Sequence, residues 1–387
     1  MKKVVIAIDS FKGCLTSVEA GQAVAEGVRS VFPECEVICL PVADGGEGML
    51  DVLVAVTSGK YITTRAHNAL MEWQDARYGI SGDGTTAFIE MAGISGLPLI
   101  PAGKRNPMKT TSFGTGELIR DALEHGCRNF IIGLGGSATN EAGLGMLQAL
   151  GYRFFNKEGK ELGITDTGKM LGICGGMIGE VSSIDSTMVH PALKGSHFMA
   201  ACDVRNPFTG KEGASVVFAP QKGADSSMVI ELDNGMGHLA EIIHQFTGRD
   251  ISHHPGTGAA GGMGGGLLAF LNAELRPGIQ LVLEALHFSE RMKNADLVIT
   301  GEGKADRQTI MGKVPYGILE ATKKQQIPVI LLAGAIEDTE KLNEAGFQGV
   351  FSITPYPVNL KKAMNQSFAR YHLQRTIAQI CRLCSLK

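Results

Sequence analysis

The sequence predicts an α/β protein in which both chain ends build one doubly wound parallel sheet and a second α/β domain is inserted between them. Three observations carry this expectation. The N-terminal segment reads strand, loop, helix, strand, loop, helix, an order that produces a parallel sheet. The C-terminal third repeats that order, and the two ends of a domain commonly lie close together. At 387 residues the chain also exceeds the size at which a single core normally stops growing, so two domains are expected.

The elements follow in order. Residues 3–8 are apolar and β-branched, residues 9–16 are polar with Gly13, and residues 17–31 have helical spacing with Ser17 as a natural N-cap. Residues 37–40 give a second short strand, residues 43–48 an acidic glycine loop, and residues 49–56 a second helix. From the other end, residues 297–300 are a strand, 301–312 a polar loop and 314–324 a helix. Strands at 329–333 and 350–353 and a long helix over 360–384 complete that part. In the middle, strands are expected at 76–80, 86–91, 198–203 and 215–218, with helices at 116–125, 141–150 and 261–271. The resulting domains are 1–66 with 292–387, and 67–291. No fixed-period repeat interrupts this reading.

Composition narrows the function classes. The chain is 44% hydrophobic and 19% charged with a net charge of -3, so it has no cationic excess with which to neutralise nucleic-acid phosphates. No apolar run approaches the ~20 residues of a membrane helix, and the apolar start at 4–8 is ended by Asp9 before a signal-peptide core would be complete. A soluble, cytoplasmic protein is expected. Its eight cysteines then stay as thiols, and the Cys381/Cys384 pair reads as two helical thiols because no further ligands stand at matching spacing. His253 and His254 read as a surface loop. The 51 glycines are the unusual feature, and they point to loops where backbone approaches backbone or ligand.

Five loops have residues that fit chemistry. Asp9, Ser10, Lys12 and Gly13 follow the first strand, where ligands of an open parallel sheet sit, and supply an acid, a hydroxyl and a cation. A capping Asp beside a solvated Lys would explain the same residues. Asp44, Gly45, Gly46 and Glu47 follow the second strand. Glu47 suits the first turn of a helix, while Asp44 among glycines suits a general base or a metal ligand. Residues 133–140 contain a G-x-G-x-x-A pattern, with Gly135, Gly136, Ser137, Thr139 and Asn140 able to cradle an anion before a helix. A tight turn with Asn140 as N-cap is the plainer account. The run 256–266 is almost pure glycine and small residues; at about 0.8–1.0 kcal/mol per helical glycine it requires a ligand, a hinge or close packing. Finally Gly301, Glu302 and Asp306 place two carboxylates at another strand end, and such acids need Mg²⁺ or a lysine such as Lys12, Lys304 or Lys313 nearby. Neither a P-loop nor H-E-x-x-H nor G-x-S-x-G is present.

Taken together, DSFKG (9–13), PVADGGEG (41–48), GGSATN (135–140), ACDVRNP (201–207), FAPQKGA (218–224), GAAGGMG (258–264) and TGEGKAD (300–306) resemble the bacterial type 1 glycerate kinases in order and spacing from residue 4 to about residue 354. The resemblance implies a Rossmann-like domain split by a second α/β domain, with the active site in the cleft between. It also implies ATP-dependent phosphorylation of D-glycerate, at the 2-hydroxyl. On that basis Asp44 or Asp203 is the expected base and Lys12 the phosphate-neutralising cation. Asp9 and Glu302 are the expected metal ligands. Ser10, Gly45, Gly46, Glu47, Gly135, Gly136, Ser137, Thr139, Asn140, Asn206, Gly301 and Asp306 are expected at substrate or nucleotide. ATP and Mg²⁺ are the implied cofactors, and a homodimer is compatible with the sequence.

Two departures stand out: the family usually reads ATNDGG and GEGR-I-D, where this chain has Glu141 with Ala142, and Lys304 with Ala305. Glu141 puts in doubt a contact made by a shorter acid, and Ala142 any backbone geometry that needs glycine. Lys304 keeps the charge but loses a bidentate fork. A dinucleotide oxidoreductase using the 133–138 pattern, and a small-acid binding protein, are the rival classes.

Overall fold

The computed structural model describes residues 1–43 and 48–385. Among these, the strands in chain order are β1 (Lys3–Ile6), β2 (Glu36–Cys39), β3 (Lys60–His67), β4 (Trp73–Ile80), β5 (Thr86–Glu90), β6 (Asn129–Gly133), β7 (Arg153–Phe155), β8 (Ser183–Asp185), β9 (His197–Ala201), β10 (Glu274–Arg276), β11 (Leu297–Ala305), β12 (Val329–Ile336) and β13 (Gly349–Ser352). The chain forms two compact units, residues 1–44 with 279–387, and residues 45–278.

The first unit is a five-stranded sheet of order β13-β12-β11-β1-β2 in which every pair is parallel. Parallel strands buried on both faces should be continuously apolar. That is the composition of β1 and of the first half of β11, whose Val4, Ile6, Leu297 and Ile299 join Ile330 and Leu332 in one core. The helix Ser17–Arg29 packs against the helix Gln366–Cys384 at Gly27, where a methyl group would lie 2.3 Å from Ile377 Cγ2 and 2.5 Å from Gln374 O. The N-cap of Ser17–Arg29 is Thr16, not Ser17. Thr16 and Glu19 form a reciprocal capping box, which satisfies two otherwise free N–H groups. Ser17 instead ties two strand ends together, its hydroxyl donating to Ile8 O (2.6 Å) and accepting from Val42 N (3.0 Å).

The second unit holds a six-stranded sheet of order β10-β9-β6-β5-β4-β3. The pairs from β10 to β5 are parallel, and β4 and β3 add an antiparallel edge. Phe130 and Phe198 stack on adjacent strands with ring centroids 4.6 Å apart, inside the larger of the cores. β7 and β8 form a separate antiparallel pair.

Several boundaries differ from the sequence reading. The units divide at 44/45 and 278/279 and not at 66/67 and 291/292, because β3 pairs along its whole length with β4 of the six-stranded sheet. Residues 215–218, expected as a strand, belong to the helix Ala214–Phe218, with Ala214 and Ser215 buried and Val216 and Val217 turned to solvent. β11 continues to Ala305, four residues beyond the first glycine that suggested a loop. The long C-terminal helix is two, Leu360–Ala363 and Gln366–Cys384, the second capped by Asn365. Cys381 and Cys384 both lie on it, one buried and one exposed, and both are free thiols. No helix among the described residues is long and apolar enough to cross a membrane.

Candidate active site

In the first unit, the ladder between β1 and β11 continues past the strand end. Ala7 N donates to Ile299 O and Asp9 N to Gly301 O, both at 2.9 Å, which sets Asp9 beside the Gly301–Glu302 step. Gly301 must lack a side chain, since a Cβ there would lie 2.3 Å from Leu332 O of β12. Residues 11–15 close a tight loop in which Phe11 and Leu15 exchange N–H···O bonds of 2.8 and 3.0 Å across Gly13 at φ +72°. Lys12 stands on that loop and Ser10 immediately before it. Asp9 Oδ1 accepts from Ser10 N at 2.7 Å.

Glu302 is buried, and Thr309 Oγ1 donates to its Oε1 at 2.5 Å. Lys313 Nζ stands 3.6 Å from its Oε2 and 3.9 Å from Asp306 Oδ1. Burial raises the Glu302 pKa above the usual carboxylate value, opposed by the Thr309 bond and the Lys313 charge. Lys304, the departure from the family pattern, is exposed and pairs with Asp306 (3.6 Å) and Glu337 (3.0 Å). Asp9, Ser10, Lys12, Glu302 and Lys313 line one cavity of about 450 Å³. It opens at the carboxyl ends of the parallel strands, where ligands of such sheets bind.

Mg²⁺ is typically held by one or two carboxylates together with substrate phosphate oxygens. Asp9 and Glu302, with the Ser10 hydroxyl on the same wall, fit that donor set. Among the described residues no cluster of three or more acidic, histidine or cysteine groups could cage a metal without help from a ligand.

The second unit has its own polar centre where β6 and β9 end side by side, Leu134 N donating to Ala201 O. Gly135 and Gly136 are exposed at the tip of the loop that follows β6, and Ser137, Thr139 and Asn140 are buried beneath it. Asn140 is not an N-cap. The next helix, Leu144–Ala149, starts at Leu144 behind Gly143, and Asn140 Nδ2 donates to Ser215 Oγ at 3.0 Å. A dinucleotide fingerprint needs its glycine turn to open a helix at once, and this loop does not.

At the centre of the loop lies Lys222, 2% exposed, whose Nζ donates to Ser137 Oγ (2.8 Å) and Thr139 O (2.6 Å). Burial drives the Lys222 pKa down to about 7, the Glu141 charge opposing it. Glu141 is equally buried, and desolvation lifts its pKa to about 7 although Gly145 N donates to its Oε2 at 2.9 Å. Asn140 Oδ1 is a buried side-chain oxygen without a hydrogen-bond partner among the described residues, while the Ser112 and Thr139 hydroxyls bond the Glu141 carboxyl. The two departures at this loop therefore have concrete consequences. Glu141 is an interior acid, and Ala142 takes the left-handed backbone (φ +59°) that glycine adopts at no steric cost.

The glycine run is explained by close packing: a Cβ at Gly261 would lie 2.1 Å from Thr139 O, and one at Gly266 would lie 2.1 Å from Ala142 O. The turn at Gly261 and the helix Met263–Leu271 that follows it are thus pressed onto the Thr139–Ala142 backbone. On the neighbouring loop Asp203 Oδ1 accepts from Gly278 N (2.9 Å) and Asn206 Nδ2 donates to Glu212 O (2.8 Å).

The candidate residues thus gather within each unit: Asp9, Ser10, Lys12, Gly301, Glu302 and Asp306 in the first, Gly135 to Asn140 with Asp203 and Asn206 on the adjacent loop in the second. Asp44, Gly45, Gly46 and Glu47 lie outside the described residues. Gly48 opens the helix Met49–Val56, whose first turn carries Asp51, and Glu90 of β5 accepts from Leu50 N at 2.8 Å. Sequence reasoning gave no role to Lys222, although it stands inside the FAPQKGA motif, nor to the cavity wall after Thr354.

A parallel sheet whose carboxyl edge gathers carboxylates, a hydroxyl and lysines around an open cavity defines an α/β enzyme of the phosphoryl-transfer class. The chain belongs to the glycerate kinase family, whose profile matches residues 4–385. It is 47% identical over 352 residues to a glycerate 2-kinase of Escherichia coli K12, covering 91% of this chain and 90% of that one. It is 45% identical over 387 residues to a glycerate kinase of Bacillus cereus, covering 100% and 99% of the two chains. A crystal structure from Salmonella typhimurium LT2, described as a glycerate kinase 2, superposes with a TM-score of 0.87 at 42% identity, over 99% of this chain and 98% of that one.

Proposed function

We propose that the chain transfers the γ-phosphate of ATP to the 2-hydroxyl of D-glycerate, releasing ADP and 2-phosphoglycerate in the cytoplasm. The observation that carries the reading is the convergence of Asp9, Ser10, Lys12 and Glu302 on one cavity in a chain of this family.

In this reaction the glycerate oxygen bonds to phosphorus as the bond to the β-phosphate bridge breaks, and the hydroxyl proton leaves to a carboxylate. Phosphoryl transfer asks the protein mainly for positioning and charge stabilisation. Lys12 would offset charge on the transferring group, and Lys313, already turned toward Glu302, would support it. Asp9 and Glu302 would hold Mg²⁺, which neutralises phosphate charge when bound. Asp44 or Asp203 would take the hydroxyl proton. Ser137, Thr139 and Asn140 would recognise a carboxylate or phosphate through the loop clamped by Lys222.

Incubation with ATP, Mg²⁺ and D-glycerate, with ADP release followed and the product identified by phosphorus NMR, tests the proposal. A 2-phosphoglycerate resonance is expected, whereas 3-phosphoglycerate would overturn the regiochemistry. Folded Lys12→Ala and Asp44→Asn variants should lose most turnover; full activity in both would remove these residues from the mechanism.

A further inference from the structure

The cavity of the first unit has two chemistries in its lining. Asp9, Ser10, Lys12, Glu302 and Lys313 make the polar part, and Phe11, Ile353, Leu360, Ala363, Met364 and Phe368 make an apolar part. Most of the apolar part comes from the segment after β13. Met364 is 40% and Leu360 73% exposed, so this wall holds apolar side chains facing water. Met364 reaches over the first loop, its Cε 3.1 Å from where a Cβ of Gly13 would stand. Gly303 adds room: its backbone is not left-handed, and a Cβ there would come no closer than 3.8 Å to Lys12 N or Phe11 Cα. Neither packing nor backbone geometry demands glycine at that position.

We infer that this apolar wall, residues 353–369, is the subsite for the purine base of the phosphate donor, with the donor's phosphates directed to Lys12 and Lys313. The inference rests on the kinase reading and assigns a location within it. Every carbon of glycerate bears oxygen, so the acceptor has almost no apolar surface to bury against Met364, Leu360 and Phe368. A purine offers two apolar faces, for which a wall of thioether, aliphatic and aromatic groups is a fitting surface. The volume, about 450 Å³, lies in the range of cofactor and nucleotide-sized sites and is far more than a three-carbon acid would fill.

The test uses the full chain with two variants. Ala363→Phe fills the apolar part from the short helix Leu360–Ala363, and Met364→Ala trims an exposed side chain whose loss leaves the core untouched. Adenosine, which has the base but no phosphate, is the binding probe, read by saturation-transfer difference NMR. Adenosine should contact the wild-type protein and lose that contact in Ala363→Phe. The same variant should raise KM for ATP by about tenfold or more while KM for D-glycerate stays within about twofold, and Met364→Ala should move in the same direction by less. A rise in KM for D-glycerate alone would make the wall an acceptor site and overturn the inference. So would a change of oligomeric state in Met364→Ala with KM for ATP unchanged, which would make it a contact between copies. Adenosine that fails to bind while ATP turns over normally would sink the subsite and leave the kinase reading standing. If ATP and D-glycerate gave no product, the kinase reading would fall, and adenosine binding would still report on the wall by itself.

Discussion

Replacing Lys222 with methionine keeps the buried aliphatic stem and deletes the ammonium. Two opposing quantities follow from the structure. Ser137 Oγ and Thr139 O lose a donor, at about 1–3 kcal/mol for each buried acceptor left unpaired. The variant no longer buries a cation, which relieves several kcal/mol. These terms are similar in size at neutral pH, so the discriminating quantity is the pH dependence. Lys222 has its pKa lowered to about 7 in the folded protein from an ordinary value of 10.5. Between those values the unfolded chain binds a proton that the folded protein lacks, so wild-type stability rises with pH by about 1.4 kcal/mol per unit. This contribution is fully present above the unfolded pKa and is lost progressively as pH falls from 10.5 to about 7.

Lys222→Met lacks the gain. Its Glu141, deprived of the nearby cation, holds a proton to higher pH than in wild type and so loses stability as pH rises through that window. From pH 7 to pH 9 the two proteins should therefore separate by about 3 kcal/mol in favour of wild type, on the order of 5–10 °C in Tm. Thermal unfolding of both proteins by circular dichroism at pH 7, 8 and 9 measures it. All other titrating groups are shared and cancel in the difference. Curves that stay parallel within about 0.5 kcal/mol would refute the claim that Lys222 is a buried, depressed amine.

Glu302→Gln preserves size and the hydrogen bond from Thr309 but removes the charge facing Lys313, so the fold should hold while turnover drops by about a hundredfold. Because the Glu302 pKa is raised, wild-type activity should decline on the acid side as that carboxylate protonates, and a pH–rate profile of the variant should lack this limb. Gly27→Ala gains about 1 kcal/mol of helix propensity, yet its methyl would fall 2.5 Å from Gln374 O. Overpacking of this kind costs about 1–3 kcal/mol, so a lower urea midpoint is expected and a higher one would be contrary. Gly261→Ala should disturb the Thr139–Ala142 loop, since its methyl would meet Thr139 O at 2.1 Å with φ at +67°. Its signature would be lost turnover together with faster amide exchange in residues 137–143.

The parallel sheet of the first unit was legible because β1, β2 and β12 are short apolar β-branched runs bounded by polar loops. β11 runs five residues beyond the strand that the sequence suggests, because Gly301 and Gly303 look like turn residues. Gly301 is there to let Leu332 O approach, which only the assembled sheet reveals. Two adjacent valines in residues 215–218 suggest a strand; in the structure they are the exposed side of a helical turn whose buried residues are Ala214 and Ser215. The motif acids and hydroxyls were visible as residue types at strand ends. Lys222 was not, since a lysine beside glycine reads as solvated and nothing local shows that it is enclosed. The wall at 353–369 carries no motif at all, and its apolar residues resemble an ordinary helix stripe.

The placement of β1 between β2 and β11 has a consequence for biosynthesis. β2 follows within the first 40 residues, but β11 begins at Leu297. At roughly 5–20 residues per second, the ribosome takes on the order of 10–50 s to supply the second neighbour of β1. Residues 45–278 are continuous in sequence and can complete their own core during that interval. The nascent N-terminal βαβ segment meanwhile presents the unpaired edge of β1 and the apolar faces of Val4, Ile6 and Ile8. A slow or truncated translation past Gly278 would leave a folded interior unit joined to a sticky, half-built sheet, so this N-terminal segment is where holdase chaperones should be found on the emerging chain.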